Sequence, residues 1–167
     1  MNPPGVTLFS PLSKPASFTS LTFEEALRWG RKQLAFLGNQ EAAAEAERLL
    51  EEALGCSRAT LYLEARRSVS SRDLKQYQQW IRQRKKRMPL AYILQGACFW
   101  NEYLDVGPEC LIPRPETEIL IERFIEASGF SKASPFQFLD LGCGSGAIWL
   151  ALLRHFQNAR AGFLDIS

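Results

Sequence analysis

Three glycines that alternate along the chain, Gly142, Gly144 and Gly146, are the residues best suited to binding chemistry in this sequence. They follow the apolar segment 136–141 directly and precede an apolar stretch that predicts a helix. Because glycine lacks a Cβ, its backbone can approach a ligand closely, and the first N–H groups of a helix can donate to that ligand. We therefore predict a cofactor-binding turn that consists of Gly142, Cys143, Gly144, Ser145 and Gly146.

Two carboxylates accompany this turn: Asp140 precedes Gly142 by two residues, and Asp165 follows the next apolar segment. A carboxylate at position 165 can accept hydrogen bonds from both hydroxyls of a ribose. The charge of Asp140 would oppose a pyrophosphate, but it suits a ligand that carries an ammonium and a sulfonium. The residues thus favour S-adenosylmethionine. The glycine spacing also fits a nicotinamide or flavin dinucleotide, and Asp140 could equally well cap the turn.

The segments around the turn predict a parallel sheet. Their order is strand 136–141, glycine turn, helix 147–156 and strand 160–166, which is typical of the first β-α-β unit of a Rossmann-like α/β sheet. A preceding helix is predicted to begin at Pro115 and to end before Gly129. Its predicted apolar side consists of Ile119, Leu120, Phe124 and Ala127.

The first ninety residues predict a different architecture, an all-α helical bundle. Residues 1–20 contain repeated prolines among serines and threonines and predict a flexible tail. Thr22 and Glu25 have the spacing of a capping box that starts the helical module, and Pro89 ends it. The predicted helices cover residues 22–38, 40–54, 58–64 and 70–88, and Leu74, Tyr77, Ile81 and Met88 share one face of the last.

A β-hairpin is predicted between the helical module and the sheet. Residues 91–100 and 103–106 are rich in aromatic and branched side chains, with a turn at Asn101-Glu102. The fold class is therefore mixed α/β. We divide the chain into a tail (1–20), a helical substrate-docking domain (21–89), a β-hairpin linker (90–113) and the start of a cofactor-binding α/β domain (114–167).

Composition excludes several classes of protein. The chain has 167 residues, of which 46% are hydrophobic and 23% charged, and this favours a globular protein over a disordered one. No apolar run approaches the roughly 20 residues of a bilayer-spanning helix, so no membrane is expected. Four cysteines without a C-x-x-C pair and a single histidine predict reduced thiols, a cytoplasmic protein and no metal site.

Charge gives little reason to expect direct contact with nucleic acid, because the formal net charge is only +2. Five cations nevertheless cluster within residues 82–87. We interpret them as the solvated last turn of a helix, where cations complement the helix dipole. Contact with acidic groups of a partner is the alternative.

The glycine motif and two further segments resemble a known family. They are residues 139–148 (LDLGCGSGAI), 89–93 (PLAYI) and 111–118 (LIPRPETE). The first resembles a motif that very many class I S-adenosylmethionine-dependent methyltransferases share, whereas the other two are specific. Together they resemble the release-factor glutamine methyltransferases, the HemK/PrmC family, over residues 21–167.

This resemblance implies a helical domain that engages a peptide chain release factor and a catalytic domain that methylates the glutamine side chain of its Gly-Gly-Gln motif. It also implies that residues 142–146 line the methionine part of the cofactor and that Asp165 holds its ribose. Arg114 and Glu116, beside two prolines, are candidates to shape the acceptor pocket, with an ion-paired hinge as the alternative. Phe99 is a candidate to flank the substrate glutamine, although an aromatic residue at a strand end is more often part of a core.

The sequence departs from the family in one respect. The family holds its methyl acceptor with an Asn-Pro-Pro-Tyr motif, and this motif is absent here. Residues 2–5 (NPPG) only resemble it, because they lie in the predicted tail and have glycine in place of the aromatic residue. An amide nitrogen is a poor nucleophile and has to be oriented. We therefore assign no catalytic residue and expect a fragment that is inactive alone. The alternative is a non-catalytic helical interaction module with a vestigial nucleotide-binding turn.

Overall fold

A helical domain forms the first half of the computed structural model, which describes residues 20–166. The predicted tail lies outside the described residues except for Ser20. None of the helices in residues 20–166 has the length and apolar character that a bilayer span requires. The helices of this domain are α1 (Phe23–Gln33), α2 (Asn39–Leu54), α3 (Arg58–Leu63), α4 (Ser71–Lys85) and α5 (Leu90–Leu94), with a 3₁₀ turn at Ala35–Leu37.

The helices begin with the capping chemistry that the sequence predicts. The hydroxyl of Thr22 accepts the N–H of Glu25 at 3.3 Å, and the Glu25 carboxylate accepts the N–H of Thr22 at 2.8 Å. The hydroxyls of Ser57 and Ser70 cap α3 and α4 by accepting the N–H groups of Thr60 and Asp73. Each cap satisfies N–H groups that would otherwise lack a partner at the start of a helix, and this fixes where each helix begins.

Tyr77 of α4 lies in the centre of the helical core. Its side chain is fully buried, its ring meets Trp29 edge to face with centroids 5.9 Å apart, and its hydroxyl donates to the carbonyl of Ala46 at 3.3 Å. Burial raises the pKa of Tyr77 well above its usual range, so the hydroxyl remains a donor. Gly30 of α1 leaves room for this hydroxyl, since a Cβ at that position would overlap it.

The end of α4 differs from the prediction. The helix stops at Lys85, so Met88 lies outside it and is 39% exposed, while Leu74, Tyr77 and Ile81 form the buried face. Several cations of residues 82–87 bind within the domain. Arg84 pairs with Glu45 at 2.6 Å, Lys85 donates to Gln33 at 2.8 Å, and Arg87 lies 4.3 Å from the ring centroid of Phe36.

A buried acid, Glu47 of α2, connects three helices. Its carboxylate accepts hydrogen bonds from Arg31 and Tyr62 and pairs with Arg58 at 2.9 Å, although its side chain is only 7% exposed. Burial opposes ionisation of this group, but the hydrogen bonds and the arginine charges outweigh it and lower the pKa of Glu47. The ionised carboxylate therefore joins α1, α2 and α3.

The predicted β-hairpin exists but begins later than expected. Residues 91–94 belong to α5 rather than to a strand, and the strands are β1 (Gly96–Phe99) and β2 (Glu102–Asp105), which pair antiparallel. Pro89 starts the short helix, and Ile93 is buried in the helical core. Packing against this core outweighs the β propensity of the segment, which is why the prediction of a strand here was wrong.

The hairpin turn is one residue earlier than predicted. Trp100 and Asn101 both have positive φ angles, +51° and +62°, and Phe99 pairs with Glu102 across the turn. Two central residues with positive φ match the right-handed twist of the strands, which favours a two-residue turn at this position.

Helix α6 (Pro115–Ser128) starts at the predicted proline, but its buried side is not the predicted one. Ile121 is 1% exposed and Ile125 lies against the same core, whereas Ile119 and Leu120 are 54% and 60% exposed. Apolar residues occupy adjacent positions around this helix, so several apolar stripes were available. Tertiary packing, rather than periodicity, selects the stripe that faces the core.

The glycine turn joins two parallel strands, as predicted. β3 (Gln137–Leu141) pairs with β4 (Arg160–Leu164), and α7 (Ala147–His155) crosses between them. Phe156, directly after α7, is fully buried and fixes this crossover against the rings around it. The other face of the strand pair carries Leu139, Leu141 and Leu164, which are 62–67% exposed.

We expect Gly30→Ala to destabilise the helical domain even though alanine favours helices. The added methyl would overlap the Tyr77 hydroxyl in a filled core. Overpacking costs about 1–3 kcal/mol, which exceeds the roughly 1 kcal/mol that alanine gains in helix propensity. Urea unfolding followed by circular dichroism measures the change in the free energy of unfolding.

Tyr77→Phe provides the matched control for this change. Alone it removes the hydrogen bond to Ala46, which costs about 1 kcal/mol. Combined with Gly30→Ala it also removes the overlapping oxygen, so the double variant should be less destabilised than the sum of the two single changes. Strictly additive effects would contradict the close packing of these residues.

We expect Glu47→Gln to reduce the loss of stability in acid. Because folding lowers the pKa of Glu47 below its ordinary value of 4.5, the carboxylate stabilises the fold above that pH, and this contribution is lost as the pH falls through the folded-state pKa. The variant should be less stable at pH 7 and show a flatter decline below pH 4.5. Urea midpoints over this range measure both effects. Glu52→Gln, in an exposed pair with Arg48 on the same helix, is the control for loss of a surface charge and should change the stability at pH 7 by less than about 1 kcal/mol.

Candidate cofactor-binding site

The turn after β3 has the backbone geometry that only glycines adopt readily. Gly142, Gly144 and Gly146 have φ angles of +75°, +50° and +78°. The N–H of Gly142 donates to the carbonyl of Leu164 at 2.8 Å, so the turn begins against the end of β4. Apart from the glycine and its two chain neighbours, no heavy atom of residues 20–166 lies within 4 Å of where a Cβ would be at Gly142 or Gly144, and this leaves open space for a ligand against the backbone.

Asp165 reaches this turn from the end of β4. Its Oδ2 accepts the N–H of Gly144 at 2.6 Å, and its Oδ1 accepts the N–H of Ile166 at 2.7 Å. The fold therefore brings together the turn and the carboxylate that the sequence places 21 residues apart. An ionised carboxylate is an acceptor-only group, so Asp165 presents a hydrogen-bond acceptor at the edge of the turn.

Asp140 lies beneath the turn on β3. Its Oδ2 is buried and has no hydrogen-bond partner among the described residues. Buried polar atoms in folded proteins nearly always have a partner, and a carboxylate without one favours a bound group that donates hydrogen bonds. An ammonium group is such a donor, whereas a pyrophosphate offers only acceptors and negative charge.

Trp149 is a residue of this site that sequence reasoning missed. It lies on the first turn of α7, and its ring is stacked on Phe163 of β4 with centroids 5.3 Å apart. A Cβ at Gly146 would come within 2.6 Å of the indole Nε1, so the last glycine is required by this neighbour as well as by its φ angle. The sequence signal that could have identified Trp149 is its position three residues after Gly146, because residues one helical turn apart lie on the same face of a helix.

Cys143 and Ser145 are half-buried within the turn. Partial burial and the charges of Asp165 and Asp140 raise the pKa of the Cys143 thiol. A protonated thiol is a poor nucleophile, and this supports the prediction that Cys143 is present as a small residue rather than a reactive one. Cys143 is a free cysteine, as are Cys56, Cys98 and Cys110.

The predicted acceptor-side residues are not brought together into one cluster. Phe99 is 2% exposed and belongs to the core beneath the hairpin, so its burial favours the packing interpretation, while its contact with a substrate stays a prediction. Arg114 and Glu116 are both exposed at the start of α6. No ion pair joins them in residues 20–166, so the ion-paired hinge is not observed there.

Three polar contacts instead fix the hairpin, and the sequence analysis did not identify them. Glu118 of α6 accepts the N–H of Trp100 at 3.1 Å, in the hairpin turn itself. Their positions along the chain give no sign that they meet, because the contact depends on how α6 packs. The other two contacts are the ion pair of Arg154 with Glu102 and the hydrogen bond from Tyr92 to the carbonyl of Cys110.

We expect alkylation of Cys143 by iodoacetamide to have its pH midpoint above the ordinary thiol pKa of 9.0, because the thiolate is the reacting form. Asp165→Asn removes a neighbouring negative charge and should move this midpoint to lower pH. Peptide mass mapping follows each cysteine separately. The exposed Cys98 on β1 is the internal control and should not respond to Asp165→Asn. Equal pH profiles for Cys143 in both proteins would contradict the assigned charge environment.

Comparison with known proteins adds independent information. The profile of the PrmC N-terminal domain family matches residues 25–94. A release factor glutamine methyltransferase of Shewanella oneidensis is 40% identical over 128 residues, which is 77% of this chain and 43% of the relative. Those of Caulobacter vibrioides and Bacillus subtilis are 30% and 32% identical over 148 residues, which cover 50% and 51% of the relatives.

The chain thus spans about half the length of the curated relatives that it matches. The family profile covers the helical domain and α5, and the alignments are long enough to include the hairpin and much of the α/β unit. This chain is a homologue of the release factor glutamine methyltransferases of the PrmC/HemK family, over roughly the N-terminal half of those proteins.

Proposed function

We propose that this chain provides the docking domain and the cofactor-binding turn of an S-adenosylmethionine-dependent methyltransferase that acts on a glutamine side chain of a peptide chain release factor. Its relatives bear the name release factor glutamine methyltransferase. The alternating glycines and the two carboxylates around them support the cofactor part of this proposal.

One observation carries the choice of cofactor, the buried Oδ2 of Asp140 without a donor. The charges of Asp140 and Asp165 both act on the thiol of Cys143, so negative charge accumulates around the turn. A ligand with a positive charge and N–H donors is stabilised in such a place, and a dinucleotide with two phosphates is repelled. S-adenosylmethionine carries an ammonium and a sulfonium, which match both requirements, and a ribose that suits Asp165.

The residues of this chain would bind and orient rather than react. S-adenosylmethionine would supply a methyl group that its sulfonium activates for transfer to a nucleophile. Asp165, whose carboxylate lies against the N–H groups of Gly144 and Ile166, would accept the two ribose hydroxyls. The open backbone at Gly142 and Gly144 would allow close approach, and any Cβ there would occupy that space.

Fewer residues of this chain are candidates to bind the methyl acceptor than to bind the cofactor. Arg114 and Glu116 are exposed and unpaired with each other at the N-terminus of α6, so they remain our candidates for contacts with the acceptor segment. Phe99 would support this region from below through its core packing. The printed sequence contains no Asn-Pro-Pro-Tyr segment, and we assign the orientation of the substrate amide to none of its residues.

We expect isothermal titration with S-adenosylhomocysteine, the demethylated product, to show binding. Asp165→Asn keeps the shape but removes the charge that accepts the ribose hydroxyls, and it should weaken binding about tenfold or more. Gly144→Ala should weaken binding at least as strongly, because its methyl enters the open space and its φ of +50° strains alanine.

Gly129→Ala is the matched control for Gly144→Ala. Gly129 also has a positive φ, +68°, with nothing within 4 Å of its Cβ position, but it lies after α6 and away from the turn. This variant carries a similar backbone strain and should retain wild-type affinity. Folded chain that gives no heat with S-adenosylhomocysteine would instead favour a non-catalytic helical interaction module. Heat on titration with NADH would favour a dinucleotide site.

A further inference from the structure

Exposed apolar side chains and arginines occur together on the surface formed by α1, α3 and the segment after α3. Leu63, at the end of α3, is 86% exposed, and its neighbour Tyr62 is 50% exposed. A leucine exposed to this extent contributes nothing to the core of its own domain, and adjacent exposed apolar side chains mark surfaces that bind partners. We call this region the α1–α3 surface. It consists of Leu63, Tyr62, Arg28, Arg31, Arg58, Arg66 and Arg67.

A groove of about 380 Å³ lies beside Tyr62 on this surface. Its floor is apolar, because Leu27 and Leu61 of the core line it together with Ala65. Arg28, Arg31 and Glu24 also line it, and Glu24 pairs with Arg28 at 2.6 Å. A second concavity shares Tyr62 and Ala65 with this groove and is lined by residues 62–67. An apolar side chain of a partner fits a groove of this size and lining.

The charge of the α1–α3 surface is positive. Its arginines outnumber the glutamates that pair with them, which are Glu24, Glu47 and Glu64. Arg66 is exposed and makes no ion pair in the part of the chain that the structure describes. A carboxylate of a partner would complement Arg66.

The second basic region, residues 82–87, is engaged within the domain. Arg84 pairs with Glu45 where both side chains are nearly buried, and Lys85 and Arg87 contact Gln33 and Phe36. These contacts join the end of α4 to the middle of α2, the end of α1 and the 3₁₀ turn. By contrast, the α1–α3 surface combines its arginines with exposed apolar side chains and a groove. This combination favours the α1–α3 surface as the place where a partner binds.

We propose that the α1–α3 surface binds the protein substrate through a segment in which a large apolar side chain is flanked by carboxylates. The inference rests on the proposed function, which identifies this partner as a peptide chain release factor. The apolar side chain enters the groove between α1 and α3 and covers Leu63. The flanking carboxylates pair with Arg66 and compete with Glu24 for the exposed Arg28, so the affinity decreases as salt screens these charges.

The test measures the affinity of the full chain for a purified bacterial release factor by titration calorimetry. Leu63→Ser and Arg66→Glu change exposed side chains without core contacts, so circular dichroism should remain that of the unmodified chain. Each change should weaken binding about fivefold or more, and the two combined more strongly. Affinities within a factor of two of the unmodified chain for both variants would overturn the inference.

Lys86→Glu is the matched control, because it reverses an exposed charge at the end of α4 on the same domain. It should leave the affinity unchanged, and a loss confined to this variant would move the interface to α4 and overturn the inference. Titration of the same proteins with S-adenosylhomocysteine distinguishes failure of this inference from failure of the proposed function. Unchanged release-factor binding by the variants refutes the α1–α3 surface alone. An unmodified chain that binds neither ligand refutes the proposed function as well.

Discussion

The hydrogen bond from the N–H of Gly144 to the carboxylate of Asp165 holds the two halves of the candidate site together. It exists because β3 and β4 pair in parallel and in register, with Leu141 beside Leu164 at the strand ends. A slip of one residue would turn Asp165 to the other face of the strand pair. Two parallel strands are marginal alone, so this register depends on the packing of α6 and α7 around Phe156 and Ile121, which are almost completely buried.

Local chemistry accounts for the parts of the fold and site that could be predicted from the sequence. The Thr22 capping box, the glycines with positive φ and the strand–turn–helix–strand order each depend on a few neighbouring residues. Residues 91–94 and the buried side of α6 were predicted wrongly, because there the choice among apolar alternatives depends on distant packing partners. The contact of Glu118 with Trp100 is of the same kind, since no local pattern links the two.

Net charge proved a poor guide to where this chain can bind, because pairing within the fold decides which charges are available. The value of +2 is an average over regions of opposite character. Asp140 and Asp165 make the glycine turn locally acidic, while the α1–α3 surface is locally basic. Arg84 illustrates the distinction: its ion pair with Glu45 is 12–13% exposed and stabilises the domain, so this cation is not offered to a partner.

The acidic glycine turn lies in the α/β unit, and the basic α1–α3 surface lies in the helical bundle. The hairpin region connects the two and determines their relative position. Ile93 of α5 is buried in the helical core. On the other side, the ion pair of Glu102 with Arg154 and the contact of Trp100 with Glu118 fix the hairpin to α7 and α6. Residues 93–102 therefore contact both the helical bundle and the α/β unit. A partner bound at α1 and α3 would therefore meet the glycine turn in a restricted orientation, and for a reaction that must align an amide nitrogen with a methyl donor, such restriction lowers the entropic cost of the correct approach.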